Sequence, residues 1–271
     1  MEKISVLIPS YKERKKLYNL VERLLQDSQK SKIDRIVVVT PDKNLTKLKS
    51  KKILLVEERE RKGKYFAIRQ GLSMIRTKIV VMLSSDLRMR KNFLRFLLKH
   101  FENSSVGMVV GRPIADKNSK IYPFSKIIWD LHHLLCLKEP KGTEICAFRK
   151  IFNHFPKVVA DEVYIEYRLQ KSGFSIVYEP KAYGYTRAPS SLANFFKQRK
   201  RIFNGHLQMK KEYKYETSSM KFLLVLSLLL QFLKKRPTVF PLLFALICIE
   251  FAARVFALAE FLLFRKVEIV W

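Results

Sequence analysis

Short apolar runs rich in β-branched residues alternate with helical patterns over the first ~190 residues of the chain. Each run is apolar throughout, as expected of strands that are covered on both faces of a sheet. The spacing is typical of βαβ units and predicts one α/β domain with a mixed, mostly parallel sheet and helices on both faces. The predicted strands are Ile4–Ile8, Ile36–Val39, Ile53–Val56, Ile79–Leu83 and Gly107–Gly111.

Three polar loops follow predicted strands directly: "PSYKE" after the first, "TPD" after the second and "SSD" after the fourth. Ligands of open α/β sheets bind at the carboxyl ends of the strands. We therefore expect these loops to lie along one edge of the sheet and to line a cleft. The first loop is also compatible with a helix start in which Ser10 is the cap and Glu13 completes a capping box.

Two further segments place charged residues at predicted helix starts. "RKGKYF" carries Lys62 and Lys64 ahead of a helix, and a helix N-terminus with lysines suits a diphosphate. A generic basic turn is the alternative in a chain with so many lysines. Asp161 and Glu162 open the helical run "DEVYIEYRLQKSGF", where the helix dipole stabilises carboxylates.

The charge of the chain limits the classes of partner. Among 271 residues, 53 Lys and Arg outnumber 24 Asp and Glu, for a net charge of +29. Such an excess predicts nucleic acid, anionic lipid or phosphorylated substrates as partners, with a solvated Lys-rich surface as the alternative. The cysteines Cys136, Cys146 and Cys248 have neither metal-site nor disulfide spacing, which is typical of a reducing compartment. The N-terminus enters a strand at once, so we expect no signal peptide.

The last ~55 residues are strongly apolar and predict membrane association. Phe222–Leu233 is short for a span, and an interfacial or re-entrant position suits it, whereas Thr238–Phe264 is long enough to span. Glu250 and Arg254 lie one helical turn apart, so they would pair and face protein rather than lipid. A soluble helical hairpin packed on the first domain is the alternative.

A basic segment rich in phenylalanine, residues 191–216, joins these two regions. Its composition is typical of a helix that lies in an anionic membrane surface. The chain contains no zinc finger, basic zipper or RNA-binding motif, so nucleic acid is not expected as a partner. The predicted organisation is therefore a domain over 1–190, this interfacial segment, and a membrane region over 217–271 with hydrophobic helices at 222–233 and 238–264.

The order and spacing of several motifs resemble the family 2 glycosyltransferases of the GT-A fold, over about Met1 to Gly205. The motifs are "VLIPSYKE", "RKGKYFAIRQGL", "VMLSSD", "ADEVYIEYRLQKSGFSIVYEP" and "QRKRIFNG". The resemblance implies inverting transfer of a sugar from a nucleotide-sugar donor to a lipid-linked or glycan acceptor, assisted by a divalent cation, Mg²⁺ or Mn²⁺. It also implies a catalytic domain on the cytoplasmic side of the cell membrane, where the apolar region would offer a surface for homo-oligomers.

The resemblance also assigns roles to residues of this chain. Asp86 matches the second acid of the family's Asp-x-Asp turn and would bind the metal, while Ser84 replaces the first acid. Glu162 takes the position of the general base, but the Asp-Glu order reverses the family's usual Glu-Asp, so Asp161 remains a candidate. Arg201 would stabilise charge on the departing diphosphate. The residues assigned to nucleotide-sugar binding are Pro9, Tyr11, Glu13, Asp42, Lys64, Ser84, Ser85, Asp86, Gln198 and Arg201.

Departures from the family's motifs support a second hypothesis. Ser84 stands where an acid is usual, Ile202 replaces the Trp of the Gln-x-x-Arg-Trp motif, and Asp42 stands alone in a turn that usually carries more acid. These changes would suit a catalytically degenerate GT-A-like protein that binds a glycan or a lipid phosphate. His132 and His133 are adjacent in a helical stretch and point to different faces, so we expect helix packing or a lining of the acceptor cleft rather than a metal site.

Overall fold

The computed structural model describes residues 2–264, except for 43, 44, 46, 47, 49, 59–61 and 153. All five predicted strands are confirmed. The strands are β1 (Ile4–Pro9), β2 (Ile33–Thr40), β3 (Ile53–Glu57), β4 (Ile79–Leu83), β5 (Arg88–Met89), β6 (Val106–Ala115), β7 (Ile145–Arg149) and β8 (Ser175–Thr186). The helices are α1 (Arg14–Ser31), α2 (Lys64–Ser73), α3 (Phe93–Leu98), α4 (Tyr122–Lys138), α5 (Asp161–Lys171), α6 (Leu192–Tyr213), α7 (Phe222–Lys235) and α8 (Phe240–Phe264).

The strands form one mixed sheet in the order β3-β2-β1-β4-β7-β6-β8-β5. β1 pairs in parallel with β2 and β4, β2 with β3, and β6 with β8. β7, which was not among the predicted strands, lies antiparallel between β4 and β6. This insertion matters for the site, because it brings the residue before β7 beside the residue after β4.

Helices cover both faces of the sheet, as predicted. On one face, α1 and α3 bury Leu17, Leu20 and Phe93 against the sheet. On the other face, α2 and α5 bury Ile68 and Ile165. Each fully buried side chain of this size contributes about 1.5–3 kcal/mol through removal of apolar surface from water. β3 is the edge strand of the described sheet, and its residues are half-buried or exposed instead of buried on both faces as expected.

Both ends of α7 are tied to α4 and to Glu139, the residue that follows it. At its start, Lys221 Nζ lies 2.6 Å from the carboxylate of Glu139, and at its end Arg236 Nη1 lies 2.7 Å from that of Asp130. Phe232 packs with side chains of α4 and α8 in a third apolar cluster. The basic turn after α7 therefore lies against the domain, so α7 does not lead away from it as one half of a spanning hairpin would.

α8 packs along α6 through its few polar side chains. Glu250 pairs with Arg199, and Lys200 Nζ lies 2.5 Å from Glu260 Oε1. The predicted pair of Arg254 with Glu250 also forms, at 3.9 Å between N and O. The charges within this apolar segment thus face protein, as expected from the cost of placing them in lipid.

The opposite face of α8 is apolar and exposed. In the described part of the chain, one helical segment, Pro237–Leu263, is long and apolar enough to cross a membrane by length and composition, with a mean hydropathy of 2.2. Only 22% of its most apolar stretch is buried against the rest of the protein. Its exposed large side chains are Phe240, Phe244, Ile247, Phe251, Val255, Phe256, Leu258, Leu262 and Leu263.

Candidate active site

The loops after β1 and β2 meet at the carboxyl edge of the sheet, as the sequence predicts. The backbone N–H of Ser10 donates to the carbonyl of Val39 at 2.9 Å. The backbone N–H of Lys12 donates to Asp42 Oδ2 at 2.8 Å, with Lys12 in the left-handed region at φ 56°. Asp42 thereby fixes the first loop. Tyr11, the half-buried residue before Lys12, is held with this loop at the edge of the sheet.

The predicted capping box at the start of α1 is wrong. Glu13 is the residue that caps α1, and its side chain makes no capping hydrogen bond. Its carboxylate instead pairs with Lys16 at 3.3 Å. The hydroxyl of Ser10 is buried and has no hydrogen-bond partner among the described residues. Pro9 ends β1 half-buried, so the loop turns out of the sheet at this point.

The turn after β4 is held by hydrogen bonds around Asp86. Ser84 Oγ donates to Asp86 Oδ1 at 2.7 Å, and the backbone N–H of Arg187 donates to Asp86 Oδ2 at 3.3 Å. Ser85 is buried beneath the turn. Each carboxylate oxygen accepts more than one interaction, so both oxygens of Asp86 retain capacity to coordinate a cation.

A third acidic side chain at this edge, Glu144, escaped the sequence analysis. It precedes β7, and its carbonyl accepts a hydrogen bond from the backbone N–H of Ser84 at 3.2 Å. Its carboxyl group hydrogen-bonds to the side chain of Thr186, while Oε1 is buried without a partner among the described residues. Burial, together with the charge of Asp86, raises the pKa of Glu144 to about 8. In the sequence, Glu144 is marked only as an acid directly before the apolar run "ICAF". Its position beside Ser84 depends on the antiparallel pairing of β7 with β4.

Lys64, Asp161 and Glu162 come together where α2 and α5 begin. Lys64 Nζ lies 2.7 Å from Asp161 Oδ2 and 2.5 Å from Glu162 Oε1. Lys64 therefore binds the acidic pair in this structure, whereas the sequence analysis assigned it to the diphosphate. The exposed fractions of the side chains are 5% for Asp161, 15% for Glu162 and 27% for Lys64.

This buried triad perturbs the ionisation of all three groups. Burial alone would lower the pKa of Lys64, but the charges of Asp161 and Glu162 outweigh it and raise that pKa. Burial and the charge of Glu162 raise the pKa of Asp161 to about 6, against the opposing effect of Lys64. Burial acts in the same direction on Glu162, but there the ammonium of Lys64 outweighs it and lowers the pKa. One acid is thus held ionised, while the other titrates near neutral pH.

The loop that carries Glu144 is pressed against the start of α5. The backbone N–H of Gly142 donates to Glu166 Oε2 at 2.7 Å, and Tyr215 donates its hydroxyl to Glu166 Oε1 at 2.5 Å. A Cβ atom at Gly142 would lie 2.8 Å from the carbonyl oxygen of Glu162, closer than real Cβ contacts come. Only glycine therefore allows this approach, which fixes the loop relative to the acidic pair.

α6 crosses the start of α5 at Gly205. A Cβ atom there would lie 3.1 Å from the backbone nitrogen of Ala160, the residue that caps α5. Gln198, Arg201 and Gly205 recur at helical spacing and share one face of α6. Gln198 and Arg201 are both half-buried. The motif "QRKRIFNG" thus shares the face of α6 that meets the start of α5 at Gly205.

The adjacent histidines of α4 serve packing, as expected. A ring nitrogen of His133 lies 2.8 Å from Tyr178 Oη, and His132 Nδ1 lies 3.5 Å from Cys136 Sγ. Burial lowers the pKa of His132 to about 3, so this ring is neutral. Within residues 2–264, leaving aside the gaps given above, no three His, Cys, Asp or Glu side chains are grouped so as to hold a metal ion. The carboxylates of the described residues at this edge therefore do not by themselves form a three-residue metal site.

Comparison with known proteins agrees with this geometry. The family model described as "Glycosyl transferase family 2" matches residues 5–152. The chain is 21% identical over 225 residues to poly-beta-1,6-N-acetyl-D-glucosamine synthase of Staphylococcus aureus, with 76% of this chain and 55% of the relative covered. The chain thus spans about half the length of the curated relatives it matches.

Solved structures show the same fold. A mannosyltransferase from Pyrobaculum calidifontis, in complex with GDP-Man and Mn²⁺, matches with a TM-score of 0.67 at 17% identity, covering 98% of this chain and 88% of that one. Glucosyl-3-phosphoglycerate synthase from Mycobacterium tuberculosis, in complex with Mn²⁺, UDP and glucosyl-3-phosphoglycerate, matches with a TM-score of 0.54 at 14% identity, covering 76% and 79%. The architecture predicted from the sequence, a GT-A fold followed by an apolar helical segment, is confirmed.

Proposed function

Since the chain belongs to glycosyl transferase family 2, we propose that it is a membrane-associated, metal-assisted inverting glycosyltransferase. It would move a sugar from a nucleotide-sugar donor to a lipid-linked or glycan acceptor. The observation that carries this proposal is the convergence of Lys64, Asp161 and Glu162 at the edge of the sheet where Asp86 also lies. A base and a diphosphate-binding turn are the two parts that such a transfer requires.

We assign the general base to Glu162. Inverting transfer needs a carboxylate that takes the proton of the acceptor hydroxyl as this oxygen attacks the anomeric carbon from the side opposite the diphosphate. Glu162 is three times as exposed as Asp161 and is held ionised by Lys64. Asp161 would position Lys64 from the buried side of the triad.

The leaving diphosphate would be bound by the opposite part of the site. Asp86 would hold Mg²⁺ or Mn²⁺, hard cations that bind through one or two carboxylates together with substrate phosphates. The cation supplies charge neutralisation of the departing nucleoside diphosphate. Arg201 would add a fixed positive charge from α6, where charge develops as the bond to the sugar breaks. Lys64 would reach the diphosphate only by leaving the acidic pair.

The nucleoside would occupy the cleft between the first two loops. Asp42 is hydrogen-bonded to the backbone of Lys12, the residue after Tyr11, and Tyr11 and Asp42 would contact the base and ribose, with Pro9 and Glu13 shaping the same loop. The remaining residues assigned to the donor would contact its diphosphate or sugar, and they are Ser84, Ser85 and Gln198.

Donor turnover tests this function. The purified protein in detergent or lipid is given UDP-N-acetylglucosamine or GDP-mannose, donors suggested by the relatives' names, with Mn²⁺ or Mg²⁺. Release of nucleoside diphosphate is measured with and without lipid or glycan acceptors. We expect turnover of one donor that requires the cation and falls at least about 100-fold in Glu162→Gln, the usual range for loss of a general base. Binding of a donor without any turnover would support the catalytically degenerate alternative instead.

We further propose that α7 and α8 attach the enzyme to the membrane surface. The charges of α6 lie along the second half of α8, from Glu250 to Glu260, so a fully spanning α8 would draw charged residues of α6 into hydrocarbon. An interfacial position buries the exposed apolar face of α8 without that cost. The net charge of +29 favours anionic lipids of the cytoplasmic leaflet.

Vesicle flotation tests the attachment. Phe251→Asp places a charge on the exposed face of α8, where the side chain is 69% exposed. We expect it to weaken binding to anionic vesicles by about tenfold or more, because an interfacial aspartate meets part of the cost of about 2.5–3.5 kcal/mol that applies at the centre of a spanning helix. Met74→Asp, at an exposed apolar position beyond α2, is the matched control and should bind as the wild type does. Equal binding of all three proteins would contradict the assignment of this face.

A further inference from the structure

We propose that Glu144 is a second carboxylate ligand of the divalent cation and replaces the acid that the chain lacks at Ser84. This inference rests on the proposed function, since the cation is the one that would carry the donor's diphosphate. It assigns a role to a residue outside the Asp-x-Asp turn.

The sheet places Glu144 beside the turn that holds Asp86. Leu83 and Ile145 are partners in the antiparallel pair of β4 and β7, so Glu144 lies opposite Ser84 where the two strands separate. The 3.2 Å hydrogen bond from the N–H of Ser84 to the carbonyl of Glu144 fixes this register.

Two consecutive residues then hold the two carboxylates next to each other. The side chain of Thr186 hydrogen-bonds to Glu144, and the backbone N–H of Arg187 donates to Asp86 at 3.3 Å. Both acids therefore converge on the end of β8. The 2.7 Å hydrogen bond of Gly142 to Glu166 keeps the loop close to α5 and so holds the backbone that leads into Glu144.

The arrangement leaves a place for a cation. Oε1 of Glu144 is buried and has no hydrogen-bond partner among the described residues, a state that costs free energy unless a ligand pairs with it. Ser84 donates to Asp86 Oδ1 and so orients that carboxylate, in the way that neighbouring donors orient metal ligands. Two carboxylates and the oxygens of a diphosphate form the ligand set that Mg²⁺ and Mn²⁺ prefer.

The test is a titration of Mn²⁺ followed by electron paramagnetic resonance, with Mn²⁺ alone and with saturating UDP or GDP. We expect Glu144→Gln to weaken Mn²⁺ binding at least tenfold, since even residues behind the ligand shell cost 10–100-fold when changed. Asp86→Asn should do the same. Glu139→Gln removes an acid from the same loop, one that pairs with Lys221, and should leave Mn²⁺ binding unchanged.

A rescue variant separates a ligand from a merely structural residue. Ser84→Asp restores an acid at the turn, so we expect the double variant S84D/E144Q to recover most of the Mn²⁺ affinity lost in Glu144→Gln. Thermal unfolding of each variant confirms that the proteins are folded. A folded Glu144→Gln protein with wild-type Mn²⁺ affinity, or an impaired one that Ser84→Asp does not rescue, would overturn the proposal.

The separate arms distinguish this inference from the proposed function. A wild-type protein that binds Mn²⁺ but neither nucleotide contradicts the proposed function, while the comparison with Glu144→Gln still tests the cation site. Nucleotide binding with equal Mn²⁺ affinity in both proteins contradicts the cation site alone. An absence of Mn²⁺ binding in every arm contradicts both.

Discussion

Replacement of Lys64 by methionine probes the buried triad directly. The substitution keeps the length of the side chain but leaves Asp161 and Glu162 together without their cation. Loss of one partner of a buried ion pair costs about 3–5 kcal/mol. Because the side chain of Lys64 is 27% exposed, we expect a cost at or below the lower end of this range. We expect the free energy of unfolding to fall by about 2–3 kcal/mol at pH 8, which lowers the melting temperature by about 4–12 °C.

The pH dependence of this loss of unfolding free energy provides a more specific test. Without Lys64, burial raises the pKa of both acids above their unfolded values of about 4. A group whose folded pKa is raised stabilises the protein below its unfolded pKa, and that stability is lost as the pH rises toward the folded pKa. The deficit of Lys64→Met should therefore be larger at pH 8 than at pH 5.

Thermal unfolding of Lys64→Met at the two pH values measures the deficit. Lys78→Met is the matched control, because the exposed side chain of Lys78 forms a 3.9 Å surface pair with Glu2, and such pairs contribute about 0–1 kcal/mol. Addition of Glu162→Gln to Lys64→Met should restore part of the stability, since one buried charge is removed. A Lys64→Met protein with wild-type stability at both pH values would refute the triad as described.

Three further expectations follow from the same contacts. kcat/KM for the donor should rise with pH through a midpoint near 6, where Asp161 loses its proton, and Asp161→Asn should remove that step from the pH–rate profile. Gly142→Ala should lower both kcat in donor assays and the melting temperature, because its Cβ would displace the backbone carbonyl of Glu162. Tyr215→Phe removes the hydroxyl that donates to Glu166, and urea denaturation should show a loss of about 1.5–3 kcal/mol.

Local patterns were sufficient to predict the strands that precede the site. Four apolar runs between turn residues predicted the parallel strands β1 to β4, and a fifth predicted β6. The rule that ligands bind at carboxyl ends placed Asp42 and Asp86 at one edge. These inferences depend on residues close together in the chain, so sequence spacing carries them.

Contacts between residues far apart in the chain could not be predicted from the sequence. Glu144 reaches Asp86 only because β7 inserts antiparallel between β4 and β6, an arrangement that no local pattern encodes. The pairing of Lys64 with Asp161 and Glu162 joins residues about a hundred positions apart. The sequence analysis assigned Lys64 to the diphosphate and did not predict this pairing. A local motif can also mislead. The capping box predicted at Glu13 does not form, and the Glu13 side chain forms an ion pair with Lys16 instead.

The most direct test of the central claim is a crystal structure of the protein with Mn²⁺ and the nucleoside diphosphate that it binds. An anomalous difference map would locate the manganese. We expect one anomalous peak that contacts Asp86, Glu144 and the diphosphate, with the nucleoside between Tyr11 and Asp42 and the diphosphate facing Glu162. Manganese or nucleotide bound away from the carboxyl edge of the sheet would contradict the assignment of this edge as the active site of a glycosyltransferase.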